Sequence, residues 1–153
     1  MAGILGNGAN NDFLQQSEEI ARLVSGDESQ GSKVTDAAIL IKDFKLRGID
    51  PRVGLIGAIK EVNQGGVKMY RQGDTILAIK KLSPVAAQMH FFTMDKEETF
   101  RQHIKFWVDK FKQAGGQVLY DRVSDPHIIR ALQAYGAQLQ QPDLDNYKLK
   151  ALV

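Results

Sequence analysis

The chain contains no cysteine among its 153 residues. The absence of thiols excludes disulfide bonds, thiolate zinc sites and cysteine nucleophiles, and it fits a reducing cell interior as well as an assembled particle. The sequence has no apolar run long enough to span a membrane, and residues 1–8 lack the basic region of a signal peptide. We therefore expect a protein that is not secreted by a signal peptide and that has no membrane partner.

An excess of charge of one sign is also missing. The 20 Lys and Arg residues are nearly balanced by 18 Asp and Glu residues, so the net charge is only +2. Such a balance gives no long-range attraction to nucleic acid or anionic lipid, and we expect no specific nucleic-acid partner. With 43% apolar and 25% charged residues, the chain has ordinary globular composition and enough length for one domain.

The first 34 residues have the pattern of an arm that precedes the domain. Residues 12–24 predict a short amphipathic helix, and the small polar residues 26–32 predict a linker. The apolar stripe of this helix is too small to fold alone, so it docks either on the chain's own core or on a neighbouring subunit. The candidate partner-binding residues on this stripe are Phe13, Ile20 and Val24.

Residues 35–153 predict one domain of the α/β (α+β) class. The apolar periodicity alternates between the helical and the strand period along this segment. Because a helix crosses over between the third and fourth predicted strands, these two strands should lie parallel in an otherwise antiparallel sheet. The predicted elements are helices at 36–47 and 55–65, strands at 67–72, 75–82 and 86–93, a long helix at 95–114, a strand at 117–121, a helix at 126–134, and strands at 137–141 and 147–153.

The start of the long helix carries the spacing of a capping box. Asp95 and Glu98 are three residues apart, which predicts that the Asp95 side chain accepts the third amide of the helix while Glu98 reaches back. The buried face of this helix is predicted to consist of Phe100, Ile104, Trp107, Val108 and Phe111.

The order of these elements resembles the GNAT superfamily of N-acetyltransferases over residues 35–153, although a clear first strand is missing. The most specific local match is residues 125–137, DPHIIRALQAYGA, where a polar start, a short helix and a glycine precede the final strands. This segment also resembles acetyltransferase-like proteins of phage virions. The resemblance implies a mixed, mostly antiparallel sheet whose two central strands diverge to hold the arm of acetyl-CoA.

The chain departs from that family where the cofactor would bind. The family's glycine-containing loop wraps a pyrophosphate with backbone amides at the N-terminus of the long helix. Here Asp95, Glu97 and Glu98 occupy this position and place negative charge at the helix end. The resemblance also assigns a thiolate-protonating tyrosine to the position of Leu132, and Tyr135 is interpreted as a packing residue.

The three histidines predict no metal site, since none forms a His-x-x-x-His pair or lies in an H-E-x-x-H motif. His90 is interpreted first as a residue on the solvent face of its strand, and otherwise as a base. His103 and His127 are interpreted as surface residues.

These departures favour a non-catalytic, acetyltransferase-like structural or assembly protein, as in a phage virion, that contacts other subunits through residues 1–34. Catalytic, cofactor and metal residues are then expected to be none, and the location is the virion or the host cytoplasm. The alternative is an active N-acetyltransferase that transfers acetyl from acetyl-CoA to an unknown amine. In that case Glu61 or His90 serves as the base, and the cofactor-binding residues are Phe91, Thr93 and Lys96.

Overall fold

The computed structural model describes residues 15–29, 31–84, 86–114, 117–123, 125–142 and 147–152. These residues form a mixed α/β fold in which helices pack on both faces of one sheet. In chain order the elements are α1 (15–23), β1 (Val24–Glu28), α2 (Asp36–Leu46), α3 (Pro51–Asn63), β2 (Lys68–Gln72), β3 (Thr75–Ser83), β4 (Ala86–Thr93), α4 (Glu97–Ala114), β5 (Gln117–Val123), α5 (Pro126–Ala134), β6 (Gln138–Pro142) and β7 (Tyr147–Leu152).

The seven strands of the described residues form one sheet in the order β1-β2-β3-β4-β5-β7-β6. As predicted, β2, β3 and β4 are consecutive antiparallel strands, and β5 is parallel to β4 because α4 carries the chain back across the sheet. β7 lies between β5 and β6 and is antiparallel to both. The predicted α+β class with a mixed, mostly antiparallel sheet is therefore confirmed.

The prediction of a linker at 26–32 was wrong in its first part. β1 runs through this region and pairs in parallel with β2, with Val24 opposite Met69 and Ser25 opposite Tyr70. A five-residue edge strand that contains Gly26 at φ +54° carries almost no period-two signal, because its sequence has a single large apolar residue. The strand that seemed to be missing from the sequence is thus present.

Two apolar cores lie on opposite faces of the sheet. The alternation along β4 separates them, since Met89 and Phe91 belong to the core under α4 and α5, whereas Phe92 belongs to the core under α1, α2 and α3. The predicted apolar face of α4 is confirmed: Phe100, Ile104 and Val108 are buried, and Trp107 and Phe111 are partly buried.

Each helix of the α2–α3 pair begins with a side-chain N-cap, of which the sequence predicted the one on α2. The Thr35 side chain accepts the amide of Ala38 at 3.2 Å, as predicted, and Gly48 adopts φ +70° after the last turn of α2. Asp50 caps α3 and accepts the amides of Arg52 and Val53. The two helices pack as a hairpin on β2, β3 and β4 through their shared apolar core.

We expect opposite effects when the two glycines inside α3 are replaced by alanine. A Cβ at Gly54 would lie 2.7 Å from Cγ and Cε2 of the buried Phe44 ring, whereas a Cβ at Gly57 would meet nothing within 4 Å. Gly54→Ala should therefore lower the free energy of unfolding by about 1–3 kcal/mol through overpacking. Gly57→Ala should raise it by about 0.5–1 kcal/mol because alanine is the better helix former. Urea denaturation of both variants measures the difference, and a gain in both would contradict the close packing of α2 on α3.

Candidate functional site

The parallel strands β4 and β5 lose their pairing towards their C-terminal ends. Their ladder runs from Ala86 opposite Gln117 to Met89 opposite Tyr120. β4 nevertheless continues to Thr93 and β5 to Val123, and each strand is followed by a helix. Ligands often bind at the carboxyl ends of parallel strands, next to helix N-termini. This end of the sheet is therefore the first candidate site.

Aromatic side chains of the chain itself fill the start of this gap on the α4–α5 face. Phe91, Phe100 and Tyr120 are fully buried. The Phe91 ring centroid lies 5.6 Å from that of Phe100 and 6.2 Å from that of Tyr120. The contact of Phe91 with Tyr120 thus connects β4 to β5 where their hydrogen bonding stops. Phe91, proposed from the sequence as a cofactor contact, is a core residue.

A cleft of about 210 Å³ remains at the ends of the two strands. This volume is below the roughly 300–1,000 Å³ that is usual for small-molecule sites. Lys42 uses its Nζ to donate to the Thr93 carbonyl at 3.1 Å, and Asp125 caps α5 by accepting the His127 amide. The cleft is lined by Lys42, Thr93, Asp95, Lys96, Glu97, Phe100, Asp125 and His127, so Thr93 and Lys96 do meet there.

The predicted capping box at Asp95 was wrong. Instead of an amide of α4, the Asp95 carboxylate accepts the Asp74 amide at 3.0 Å and the Thr75 hydroxyl at 2.8 Å. The β2–β3 turn lies next to Asp95, so the donors of Asp74 and Thr75 bind its carboxylate in place of the amides of α4. The acid at this position therefore joins the β4–α4 loop to the β2–β3 turn, and it still lines the cleft.

Arg71, on β2, hydrogen-bonds to Asp74, the residue whose amide donates to Asp95. Arg71 is only 4% exposed. Its guanidinium donates to Asp36 at 2.8 Å, to Asp74 at 2.9 Å and to the backbone carbonyls of Val34 and Gly73. These partners come from α2, the β2–β3 turn and the loop that precedes α2. The alternating pattern of β2 predicted that Arg71 lies on the same strand face as Met69. It did not predict the hydrogen bonds of Arg71, because all its partners are distant in sequence or in turns.

A larger groove lies on the face of the sheet that α2 and α3 cover, between the α2–α3 hairpin and strands β2, β3 and β4. We call it the α3 groove; its volume is about 460 Å³. Glu61 and His90, the two bases of the enzyme alternative, both line it. The remaining lining residues are Phe44, Arg47, Ile49, Val53, Gly54, Gly57, Ala58, Val67, Met69, Ala78, Lys80, Gln88 and Phe92.

A buried carboxylate orients His90 in the α3 groove. Asp43 Oδ2 lies 2.9 Å from His90 Nε2 and accepts Arg47 Nε at 2.8 Å, and Asp43 is 4% exposed. An ionised carboxylate only accepts hydrogen bonds, so His90 Nε2 carries the proton and Nδ1 is the acceptor in the neutral ring. Sequence reasoning missed Asp43, since a helical Asp four residues before an Arg is usually a surface pair.

The surface interpretations of His90 and His103 were wrong, and that of His127 is confirmed. The His90 side chain is 14% exposed and the His103 side chain 12%. His103 Nε2 lies 3.2 Å from Asp95 Oδ2, at ion-pair distance but without hydrogen-bond geometry. His127 is 60% exposed and contacts Arg130 at 2.9 Å. Tertiary contacts with acids, which the local pattern does not encode, account for the first two.

Leu132, which stands where the resembling family has a tyrosine, and Tyr135, interpreted from the sequence as a packing residue, lie at the end of α5. Leu132 is buried in the core under α4 and α5, and Tyr135 packs partly buried against the same core. Neither residue lines the cleft at the ends of β4 and β5.

Two of the three candidate partner-binding residues are committed to the chain's own fold. Ile20 and Val24 are buried in the core shared by α1, α2 and α3, so of the two docking alternatives the intramolecular one applies to them. Phe13 lies outside the described residues.

Burial raises the pKa of the Tyr120 hydroxyl above its ordinary value of 10. As the pH rises, the unfolded chain therefore loses this proton before the folded chain does. The contribution of the neutral Tyr120 hydroxyl to the free energy of unfolding is complete below pH 10 and is lost as the pH rises further. We expect the free energy of unfolding of the wild type to fall more steeply above about pH 10 than that of Tyr120→Phe. Denaturation of both proteins between pH 8 and about 11 tests this; parallel curves would contradict it.

Within the described residues, no group of three or more His, Asp or Glu side chains is arranged to hold a metal ion. In the same part of the chain, no helix combines the length and apolar character that crossing a membrane requires.

No protein-family model matches this chain, and no curated protein or solved structure matches it significantly.

Proposed function

We propose that this chain is a non-catalytic protein with an acetyltransferase-like fold, and that it serves as a structural subunit of a larger assembly such as a phage virion. The observation that carries the proposal is the packing of Phe91, Phe100 and Tyr120 where β4 and β5 part. In an acetyltransferase of the resembling family, the arm of acetyl-CoA would need the space between these strands. Core side chains in this space stabilise the fold through apolar burial and leave no room there for the cofactor arm.

The relationship to the GNAT superfamily is part of the proposal and has two supports. The order of elements agrees with the resemblance and now includes a first strand, β1. The parallel pair β4 and β5 separates after Met89 and Tyr120, at the centre of the sheet. Both features are ones that the family resemblance implies.

The charges of the cleft also support a protein without cofactor. Asp95, Glu97 and Asp125 line the cleft together with Lys42 and Lys96. Lys42 is held by a backbone carbonyl, and Glu97 accepts Arg101 at 3.2 Å. Three carboxylates therefore line the cleft with two lysines, and a pyrophosphate at the N-terminus of α4 would meet more negative than positive charge in a cleft too small to enclose it.

Contacts with other subunits through residues 1–34 stay part of the proposal, but Ile20 and Val24 are withdrawn as contact residues because they are buried in the chain's own core. For the described part of this segment, a partner would have to contact exposed side chains such as Glu18 and Arg22.

Isothermal titration with acetyl-CoA and with CoA at low salt tests the loss of the cofactor. We expect no saturable heat up to millimolar ligand, because the gap is filled and low salt would favour even a weak phosphate contact. Saturable micromolar binding would contradict the proposal. The assembly role predicts that mass spectrometry of purified particles finds the chain at a fixed ratio to the other subunits; particles that lack it would refute that role.

The second candidate is the active N-acetyltransferase, and the Asp43–His90 pair in the α3 groove favours it. The buried carboxylate fixes the ring of His90, and Glu61 lines the same groove, so two bases face a space for an acceptor amine. If this candidate is right, the double variant Glu61→Gln/His90→Gln abolishes acetyl transfer while the circular dichroism spectrum is unchanged. A wild type that binds no acetyl-CoA excludes it.

A further inference from the structure

We infer that the α3 groove is a binding site for a small molecule with an apolar body and a single carboxylate. The inference concerns a site distinct from the gap between β4 and β5, and it does not depend on the assembly role.

The volume and the lining fit a small amphipathic molecule. About 460 Å³ lies within the roughly 300–1,000 Å³ of typical ligand sites, and the lining is mainly apolar with a few polar groups, as such sites usually are. The buried rings of Phe44 and Phe92 meet edge to face at 5.9 Å. Val53, on the groove wall, is 64% exposed, so apolar surface is open to an incoming ligand.

The small residues of α3 keep the groove open. Gly57 lines it, and a Cβ at Gly57 would meet nothing within 4 Å. Gly54 and Ala58 lie on the same wall. A helix interior made of larger residues would close this space, although leucine or alanine would suit the helix better than glycine.

The hydrogen-bond donors of the groove favour an anionic group. Arg47 is largely buried, donates Nε to Asp43 and packs its guanidinium over the Phe44 ring at 5.5 Å. Among the described residues, its terminal nitrogens keep further N–H donors for a ligand carboxylate, which Arg binds well. Lys80 and the Gln88 amide lie opposite each other on β3 and β4 and line the same groove.

The wall elements carry an excess of positive charge. Residues 36–83 contain 9 Lys and Arg against 5 Asp and Glu, a net charge of +4, whereas the rest of the chain has a net charge of −2. Of these acids, Asp36, Asp43 and Asp74 are paired with arginines and Asp50 caps α3. The exposed cations of this region therefore attract an anion towards the groove.

An amine is the less suitable ligand for the same reasons. Glu61 is the one acid among the lining residues, and it is exposed, so water screens its charge. Arg47, in contrast, is partly withdrawn from water, where charge-assisted hydrogen bonds are stronger. Because the Arg47 guanidinium interacts more strongly with a ligand than the screened Glu61 carboxylate does, the groove favours a carboxylate over an amine.

Three probes of one shape test the inference: 3-phenylpropanoate, 3-phenylpropanol and 3-phenylpropylamine, titrated into the full chain and followed by proton–nitrogen correlation spectra. We expect 3-phenylpropanoate to bind saturably, to shift the amide signals of Gly57 and His90, and to bind more tightly than the alcohol and the amine. No saturable shift in groove residues, or tighter binding of the amine, would overturn the inference.

Variants separate the groove from non-specific binding. Gly57→Leu should fill the groove and remove saturable binding, and its melting curve shows that the fold is kept. Lys80→Gln should weaken 3-phenylpropanoate about threefold through loss of an exposed ion pair. Lys81→Gln is the matched control, because its neighbouring position on β3 faces away from the groove. Equal affinity in Gly57→Leu and wild type, or equal losses in the two lysine variants, would refute the site.

Discussion

Replacing Arg71 by methionine should lower the free energy of unfolding by about 3–5 kcal/mol, the largest effect expected of a single substitution in this chain. The guanidinium is 4% exposed and donates to Asp36 and Asp74 and to two backbone carbonyls. Methionine fills a similar volume but donates no hydrogen bond, so Asp36, which is 5% exposed, would lose its cationic partner. A buried carboxylate without its cation is far more costly than the pair was worth.

Urea denaturation of Arg71→Met beside Arg52→Met measures this effect. Arg52 is exposed, so its loss should change the free energy of unfolding by no more than about 0.5 kcal/mol. Adding Asp36→Asn to Arg71→Met should recover part of the loss, since a neutral amide is cheaper to bury than a carboxylate. If Arg71→Met and Arg52→Met are equally stable, Arg71 does not join α2 to the β2–β3 turn in solution.

Truncation of Ile20 to alanine should lower the free energy of unfolding of the isolated protein by about 2–5 kcal/mol. The side chain has no exposed surface and packs in the core with residues of α2, α3 and β2. The loss combines the transfer free energy of the removed methylene groups with a cavity that the well-packed surroundings fill only in part.

This second prediction also separates the two docking alternatives for the N-terminal helix. If α1 packed only on another subunit, Ile20→Ala would leave the isolated chain as stable as the wild type. The control is Arg22→Ala on the exposed side of α1, for which a change within about 0.5 kcal/mol is expected. Thermal melting of both variants at several protein concentrations also shows whether self-association contributes.

The amphipathic patterns of the sequence predicted most of the elements because the buried face of each element repeats with its own period. α4 has its apolar stripe at helical spacing, and β2, β3 and β4 alternate with period two between two cores. The apolar pattern did not predict β1, because this short edge strand contains Gly26, and Val24 is its one buried residue among those whose side chains the structure describes. Its place was set by pairing with β2, which no local pattern encodes.

The candidate sites were predictable only in part. Glu61 and His90 were chosen from the sequence, and the structure brings both to the α3 groove. Asp43 and Arg47 were not chosen, since their i, i+4 spacing on α2 is that of an ordinary surface pair. The capping-box interpretation of Asp95 failed because the β2–β3 turn, 20 residues earlier in the chain, offers the carboxylate better placed donors.

Composition and periodicity predict the class of the fold, the order of the helices and strands after β1, and the absence of thiol chemistry, because these signals are local along the chain. Which side chains contact one another depends on the tertiary fold. Arg71 with Asp36, Asp43 with His90, and the aromatic filling between β4 and β5 all join residues that are far apart in sequence. Burial and pairing depend on distances in space, and a one-dimensional pattern specifies the face of a residue but not its neighbour across the core.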